Sequence, residues 1–216
     1  WVRDCIRECR KLDYPKNKYE IILLPDVEIN KGDFPGCKII VTGVVNHSAK
    51  RNAGMRASKA DLFAFIDSDA CPEKNWLKNA VRLLKDSEIM AVGGPGITPK
   101  EDGYWQQVTG LIYQSYFCGG PTQHRFIKAA RQYVVDYPAY NLLVKTEALK
   151  KVGGYGSYFY GGEDTFLCLK IILKGWKILY DPEVVVFHHR RPLLLPYLKQ
   201  IANVGKHRGY FVRVFP

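Results

Sequence analysis

The run Leu62-Phe63-Ala64-Phe65-Ile66 is continuously apolar, and Asp67-Ser68-Asp69 follow it without a break. So short an apolar run, with polar helical patterns before and after it, reads as a strand covered on both faces. That reading commits the chain to an α/β architecture, in which ligands bind in the crevice beyond the carboxyl ends of the strands. Asp67 and Asp69 fall at that point. Like charges so close together repel, and a hard divalent metal carrying phosphate oxygens would offset the repulsion, because such ions take one or two carboxylates plus substrate phosphates. Asp and Ser are also ordinary turn residues, so a plain strand-to-turn junction accounts for the same pattern.

The rest of the chain follows the same alternation. Helical spacing over Trp1–Leu12, Ser48–Lys59 and Glu73–Ser87 is interleaved with short apolar runs at Tyr19–Leu24, Lys38–Thr42 and Ile89–Val92, which predicts βα units and a mostly parallel sheet. Asn46 or Ser48 is available to cap the second helix. The middle differs: an aromatic helical stretch at Tyr104–Phe117, a basic loop with Gly and Pro at Cys118–Gln132, and short strands at Tyr133–Asp136 and Leu142–Lys145. A short helix, Thr146–Val152, ends on Gly153-Gly154. Gly161-Gly162-Glu163-Asp164 then opens a helix reaching about Lys174, followed by strands at Lys177–Tyr180 and Val184–His188 and a Leu-rich helix at Pro192–Val204. Nothing reads as a linker, so the chain is taken as one domain.

A net charge of +11 asks for a partner: nucleic acid, anionic lipid or a phosphorylated substrate. No recognised nucleic-acid module appears, and acidic pairs at strand and helix ends would repel phosphate without a metal. The 6 cysteines show neither a C-x-x-C pair nor metal-ligand spacing, which points to reduced thiols and a cytoplasmic setting. No apolar run approaches the roughly 18 residues needed to span a bilayer.

Asp67-Asp69, Glu163-Asp164 and His188 form a set of chemistry-bearing residues at element ends. Taken singly, Glu163 and Asp164 suit the first turn of a helix through its dipole, and His188 is a polar residue at a strand end. Their order and setting carry more. The segments KRNAGMRASKADLFAFIDSDACP, NLLVKTEALKKVGGYGSYFYGGEDTFLCLKIILKGWKILYDPEVVVFHHRRP and YLKQIANVGKHRG resemble successive blocks of the family 2 glycosyltransferases, over about residues 1 to 210.

The resemblance implies a GT-A fold, a Rossmann-like sheet flanked by helices with a small antiparallel element, over residues 1–191. It implies an inverting enzyme that moves a sugar from a nucleotide-diphosphate donor to a hydroxyl of a glycan or lipid-linked acceptor, with a divalent metal, Mn²⁺ or Mg²⁺. Asp67 would hold the donor ribose, and Asp69 and His188 the metal, an imidazole suiting Mn²⁺ better than Mg²⁺. Asp164 would be the general base, supported by Glu163. Arg51 and Asn52 match the family's Arg-Asn-x-Gly block near the base or diphosphate; Arg51 also reads as a solvated helix residue. Asp26 follows the second family strand, where a family Asp contacts the base, although Pro25-Asp26-Val27-Glu28 replaces the usual Asp-Asp-Gly-Ser.

The chain opens in the family's first helix, so the family's first strand is expected to be missing and this stretch by itself to be poorly stable or inactive. At the other end, Gly205-Lys206-His207-Arg208-Gly209 resembles a block of membrane-associated members. Residues 192–216 there read either as an interfacial helix at the inner face of the cell membrane or as a helix packed on the domain. Competing readings are a nucleotidyltransferase that makes nucleotide-sugars, disfavoured by the Gly-Gly-Glu-Asp block, and a basic nucleic-acid-binding protein.

Overall fold

The computed structural model describes residues 1–156 and 162–214. Gly161, the first residue of the Gly-Gly-Glu-Asp block, lies outside them. In chain order the elements are α1 (Val2–Arg10), β1 (Ile21–Leu23), β2 (Cys37–Ile39), α2 (His47–Arg56), β3 (Leu62–Ile66), β4 (Ala70–Pro72), α3 (Trp76–Leu83), β5 (Ile89–Gly93) and β6 (Gly96–Ile97). They continue with α4 (Tyr104–Gln114), α5 (Tyr116–Gly119), β7 (Gln132–Val134), β8 (Asn141–Lys145), α6 (Thr146–Val152), α7 (Glu163–Ile172), β9 (Lys177–Tyr180), β10 (Val186–His188) and α8 (Leu195–Val214).

The core is a five-stranded sheet ordered β3-β8-β5-β9-β7. Its middle strands are continuously apolar because both faces are covered, and alternate residues divide cleanly between the faces. Ala91, Leu142, Val144, Ile178 and Tyr180 point to the layer formed by Ala148 and Leu149 of α6 and Leu167, Cys168 and Ile171 of α7. Val92, Leu143 and Leu179 point the other way, to Trp76, Leu77 and Ala80 of α3. Two smaller sheets flank this one: the parallel pair β1-β2, and a three-stranded sheet ordered β4-β10-β6. The Asn141 amide ties the sheets together, donating to Gly94 O at 2.5 Å and Val184 O at 2.7 Å while its Oδ1 accepts from Trp76 Nε1 at 2.7 Å.

Three expectations are corrected here. The sheet is mixed rather than mostly parallel: β8 inserts between β3 and β5 and runs antiparallel to both, while β5 and β9 are the parallel neighbours. β3 is not covered on both faces. It forms an edge of the central sheet, its apolar side chains are half-buried, and Ala64 is exposed. The last helix starts at Leu195 and runs to Val214, ten positions beyond the expected end. Asn46 caps α2 as expected, its Oδ1 accepting from Ala49 N at 2.8 Å. All 6 cysteines are unbridged.

Candidate active site

The three-stranded sheet brings the first two parts of the site together. β4 and β10 run antiparallel with His188 opposite Ala70, and His189 N donates to Asp69 O at 3.0 Å. That register sets His188 beside Asp69 although more than a hundred positions separate them. Nε2 of His188 lies 3.3 Å from Asp69 Oδ1. Asp67, Asp69 and His188 each offer one ligand atom, all within 4.8 Å of one another.

The His188 ring is held on three sides. It stacks on Tyr140 at 4.7 Å, and Nη1 of buried Arg190 lies 3.1 Å from its Nδ1. Arginine has no acceptor, so Nδ1 accepts and the ring proton sits on Nε2, aimed at Asp69. Arg190 is fixed in turn: it donates to Gly96 O and to Thr98 Oγ1, and lies over Phe126 at 5.1 Å and Tyr113 at 5.6 Å. His189 Nδ1 meets Asp102 Oδ1 at 2.5 Å, pinning the end of β10 to the turn before α4. Burial pushes the Asp69 carboxyl up, but the hydrogen bond from His188, a backbone N–H and the nearby Arg191 charge outweigh it, and the net shift is below the usual carboxylate range.

Arg51 joins the second half of the site to the first. It projects from α2 on the face that carries Ser48 and Asn52, which face the Tyr155–Gly156 segment ahead of α7. Its Nη1 contacts Glu163 Oε1 at 2.9 Å and Asp164 Oδ1 at 3.1 Å, its Nη2 is 3.7 Å from Asp67 Oδ1, and its guanidinium lies 5.0 Å from the Tyr155 ring centroid. One guanidinium therefore touches carboxylates from a strand end and from a helix start. It is not the solvated helix residue its pattern also allowed. Asn52 is engaged at both ends of its amide: Nδ2 donates to Tyr155 O at 2.9 Å and Oδ1 accepts from Tyr155 N at 3.0 Å. That clamp holds the segment feeding α7. Asp26 is exposed at the end of β1, where Lys50 Nζ reaches its Oδ1 at 2.6 Å.

Glu163 and Asp164 open α7, yet their roles diverge. Glu163 Oε2 accepts from Gly162 N at 3.0 Å; burial raises its carboxyl, while Arg51 and the backbone donors outweigh that and leave the net shift downward. Asp164 Oδ2 accepts from Ala139 N at 3.0 Å. Burial dominates at Asp164 and lifts it to about 7, with Glu163 pushing the same way and Arg51 and Ala139 N–H pulling back. A carboxyl that changes protonation near neutrality, beside a carboxylate that stays charged, is the division of labour expected of a base and its support.

The donor set suits a divalent cation. Asp67, Glu163 and Asp164 share the Arg51 guanidinium, while Asp67 and Asp69 set two carboxylates beside the His188 imidazole, and two carboxylates with an imidazole are ligands such an ion accepts. Nε2 of His188, the ring nitrogen that faces Asp69, would be the ligating atom.

Arg190, Tyr140 and the Ala139 N–H escape sequence reasoning, as does the bridging role of Arg51. Arg190 left a trace, lying in the His188-His189-Arg190-Arg191 run, but a basic run does not show which member is buried.

Over 214 residues the chain is 27% identical to the pre-mycofactocin glycosyltransferase of Mycobacterium tuberculosis, covering 94% of this chain and 44% of that protein. It is 22% identical over 230 residues to a dolichyl N-acetyl-α-D-glucosaminyl phosphate 3-β-D-2,3-diacetamido-2,3-dideoxy-β-D-glucuronosyltransferase of Methanococcus voltae, covering 99% of this chain and 70% of that one. Among solved structures, the mannosyltransferase PcManGT of Pyrobaculum calidifontis, determined with GDP-Man and Mn²⁺, superposes with a TM-score of 0.69 at 17% identity, over 98% of this chain and 60% of that one. The fold is that of the GT-A glycosyltransferases. The chain thus spans less than half of the mycobacterial relative and about two-thirds of the archaeal one. Residues 1–153 match the family description "Glycosyl transferase family 2", and the chain belongs to that family.

Proposed function

We propose that this chain is the donor-binding and catalytic domain of an inverting glycosyltransferase that uses a nucleotide-diphosphate sugar. The observation that carries the reading is Arg51: its guanidinium joins Asp67, beside the Asp69–His188 pair, to Asp164 at the start of α7. Metal-site ligands and a base with a near-neutral pKa therefore belong to one cluster, as direct displacement at a donor's anomeric carbon requires. The named relatives transfer sugars, and PcManGT was solved with a nucleotide-sugar and Mn²⁺.

Asp69 and His188 would hold a divalent metal, Mn²⁺ or Mg²⁺, with Asp67 close enough to join them or to take the donor ribose. Such a metal supplies neutralisation of the charge on the donor's diphosphate. Asp164 takes the proton of the acceptor hydroxyl as its oxygen attacks; Ala139 N–H and Arg51 orient the carboxylate. Glu163 keeps Arg51 in place. A single displacement from the face opposite the leaving group inverts the anomeric centre. Asp26, held by Lys50, would meet the donor's base.

The acceptor is read as a glycan or lipid-linked hydroxyl, and α8, residues 195–214, as a helix at the cytoplasmic face of a membrane. Among the described residues no helix is long and apolar enough to cross one. A panel of nucleotide-sugars, each with and without Mn²⁺, tests the donor half: one of them is expected to raise the melting temperature only with metal, and to release nucleoside diphosphate when an acceptor is added. If no donor stabilises the protein and none is turned over, the proposal fails.

A further inference from the structure

α4 and α5 meet at Ser115, whose backbone leaves the helical region at ψ 144° and whose hydroxyl accepts from Cys118 N at 3.3 Å. The chain turns a corner there and carries aromatic rings outward: Tyr116 is 75% exposed and Phe117 is 97% exposed. Trp105, near the start of α4, is 51% exposed. A phenylalanine so open gains nothing from its own fold, and with Tyr104 and Leu111 exposed as well, α4 and α5 carry a run of open apolar side chains of the kind that marks an interaction site.

α8 lies against this corner. Tyr113 of α4 meets Tyr197 of α8 at 5.7 Å, and Leu193 N donates to Trp105 O at 3.2 Å. α8 rests on the domain through its half-buried positions, Tyr197, Gln200, His207 and Phe211. Leu195 and Leu198 face away from that side and are exposed, and Lys199, Lys206 and Arg213 recur beside them at heptad spacing. Aromatic and leucyl side chains rimmed by cations complement an anionic bilayer, the apolar groups entering the headgroup boundary and the ammonium and guanidinium groups meeting lipid phosphate.

We infer that the α4–α5 corner is a bilayer-docking surface continuous with the outer side of α8, and that the acceptor hydroxyl belongs to a molecule anchored in that bilayer. The acceptor half rests on the transfer function proposed above; the docking half stands on exposure and charge. The two surfaces share a wall: Gln106 of α4 donates to Arg190 O at 2.9 Å, and Arg190 supports His188.

Vesicles of phosphatidylcholine with phosphatidylglycerol, carrying brominated acyl chains, test the docking. They are expected to quench tryptophan fluorescence, and Trp105→Phe to lose most of that quenching. Phe117→Ser and Tyr116→Ser are each expected to weaken vesicle co-sedimentation by about tenfold, as loss of one buried ring predicts, and pure phosphatidylcholine vesicles to bind more weakly than the mixture. Unchanged quenching in Trp105→Phe, or unchanged co-sedimentation of Phe117→Ser, overturns the docking. So does vesicle-free light scattering showing a dimer that Phe117→Ser dissociates, because the surface then meets a second copy of the chain. Donor hydrolysis without vesicles reads the transfer function separately. Turnover without vesicle binding sinks the docking alone, whereas vesicle binding without turnover sinks the acceptor half and leaves the docking standing.

Discussion

Asp164 lies at the end of a balance: burial lifts its carboxyl to about 7, and the Arg51 guanidinium is the largest influence pulling it down. A base works only when deprotonated, and its deprotonated fraction grows with pH. The transfer rate at saturating donor should therefore rise as pH climbs through about 7 and level off above it. Arg51→Met removes the downward pull, so the limb should move to higher pH, a shift that a purely structural role for Arg51 would not give. Asp164→Asn should cut transfer by about 10²–10⁴-fold while donor-dependent thermal stabilisation survives, because the base acts in the chemical step rather than in donor binding. Arg190 belongs to stability. It is buried, donates to Gly96 O and Thr98 Oγ1 and lies between aromatic rings, so Arg190→Ala should lower unfolding free energy by roughly 2–4 kcal/mol in urea titrations. Asp67, Asp69, Glu163, Asp164 and His188 were singled out by their order at element ends and by the family resemblance, since each alone also reads as a turn, cap or strand-end residue. The bridging partners of Arg51 and the burial of Arg190 were not, because a guanidinium's partner is decided by which distant carboxylate or carbonyl the fold delivers to it.

At the level of elements, periodicity located most of the strands and helices, but the direction of β8 was hidden. An apolar run such as Asn141–Lys145 reads alike from either end, and only its pairing with β3 and β5 shows it to be antiparallel. β4 and β6 were missed because strands of two or three residues are too short to display alternation. The junction between sheets offers a sharp test. A Cβ on Gly94 would stand 2.0 Å from Val184 O and 2.7 Å from Asp181 O, both backbone atoms that cannot swing away. Gly94→Ala should therefore destabilise by about 3 kcal/mol or more, shifting the urea midpoint with little change in slope. Gly205, inside α8, meets nothing within 4 Å of its built Cβ. Gly205→Ala should stabilise that helix by up to about 1 kcal/mol, read as slower amide exchange along α8.

Across the whole molecule, the division into three sheets fixes where the fold is firm. Ala91, Val92, Leu143 and Val144 are fully buried, on ladders hydrogen-bonded at both edges. Among the described residues β1 and β2, three residues each, pair only with one another, and they carry half-buried or exposed side chains. A two-stranded unit so short has little independent stability, and local opening is easiest where few apolar groups are buried. It is held from outside by Lys50, whose Nζ reaches Asp26 Oδ1 at 2.6 Å and Leu24 O at 3.2 Å, and by Leu24, which packs beneath Gly54. Amides of Ile21–Leu23 and Cys37–Ile39 should therefore exchange on the order of 100-fold faster than those of β5 and β8. The same unit carries Asp26, beside the proposed place for the donor's base, so a bound nucleotide-sugar would brace it. Exchange in β1 and β2 should slow when donor and Mn²⁺ are added, while β5 and β8 stay unchanged. Equal protection of the two sheets without ligand would show that Lys50 and Leu24 already lock β1–β2 to the core. Slowing in β5 rather than β1 would place the nucleotide away from Asp26.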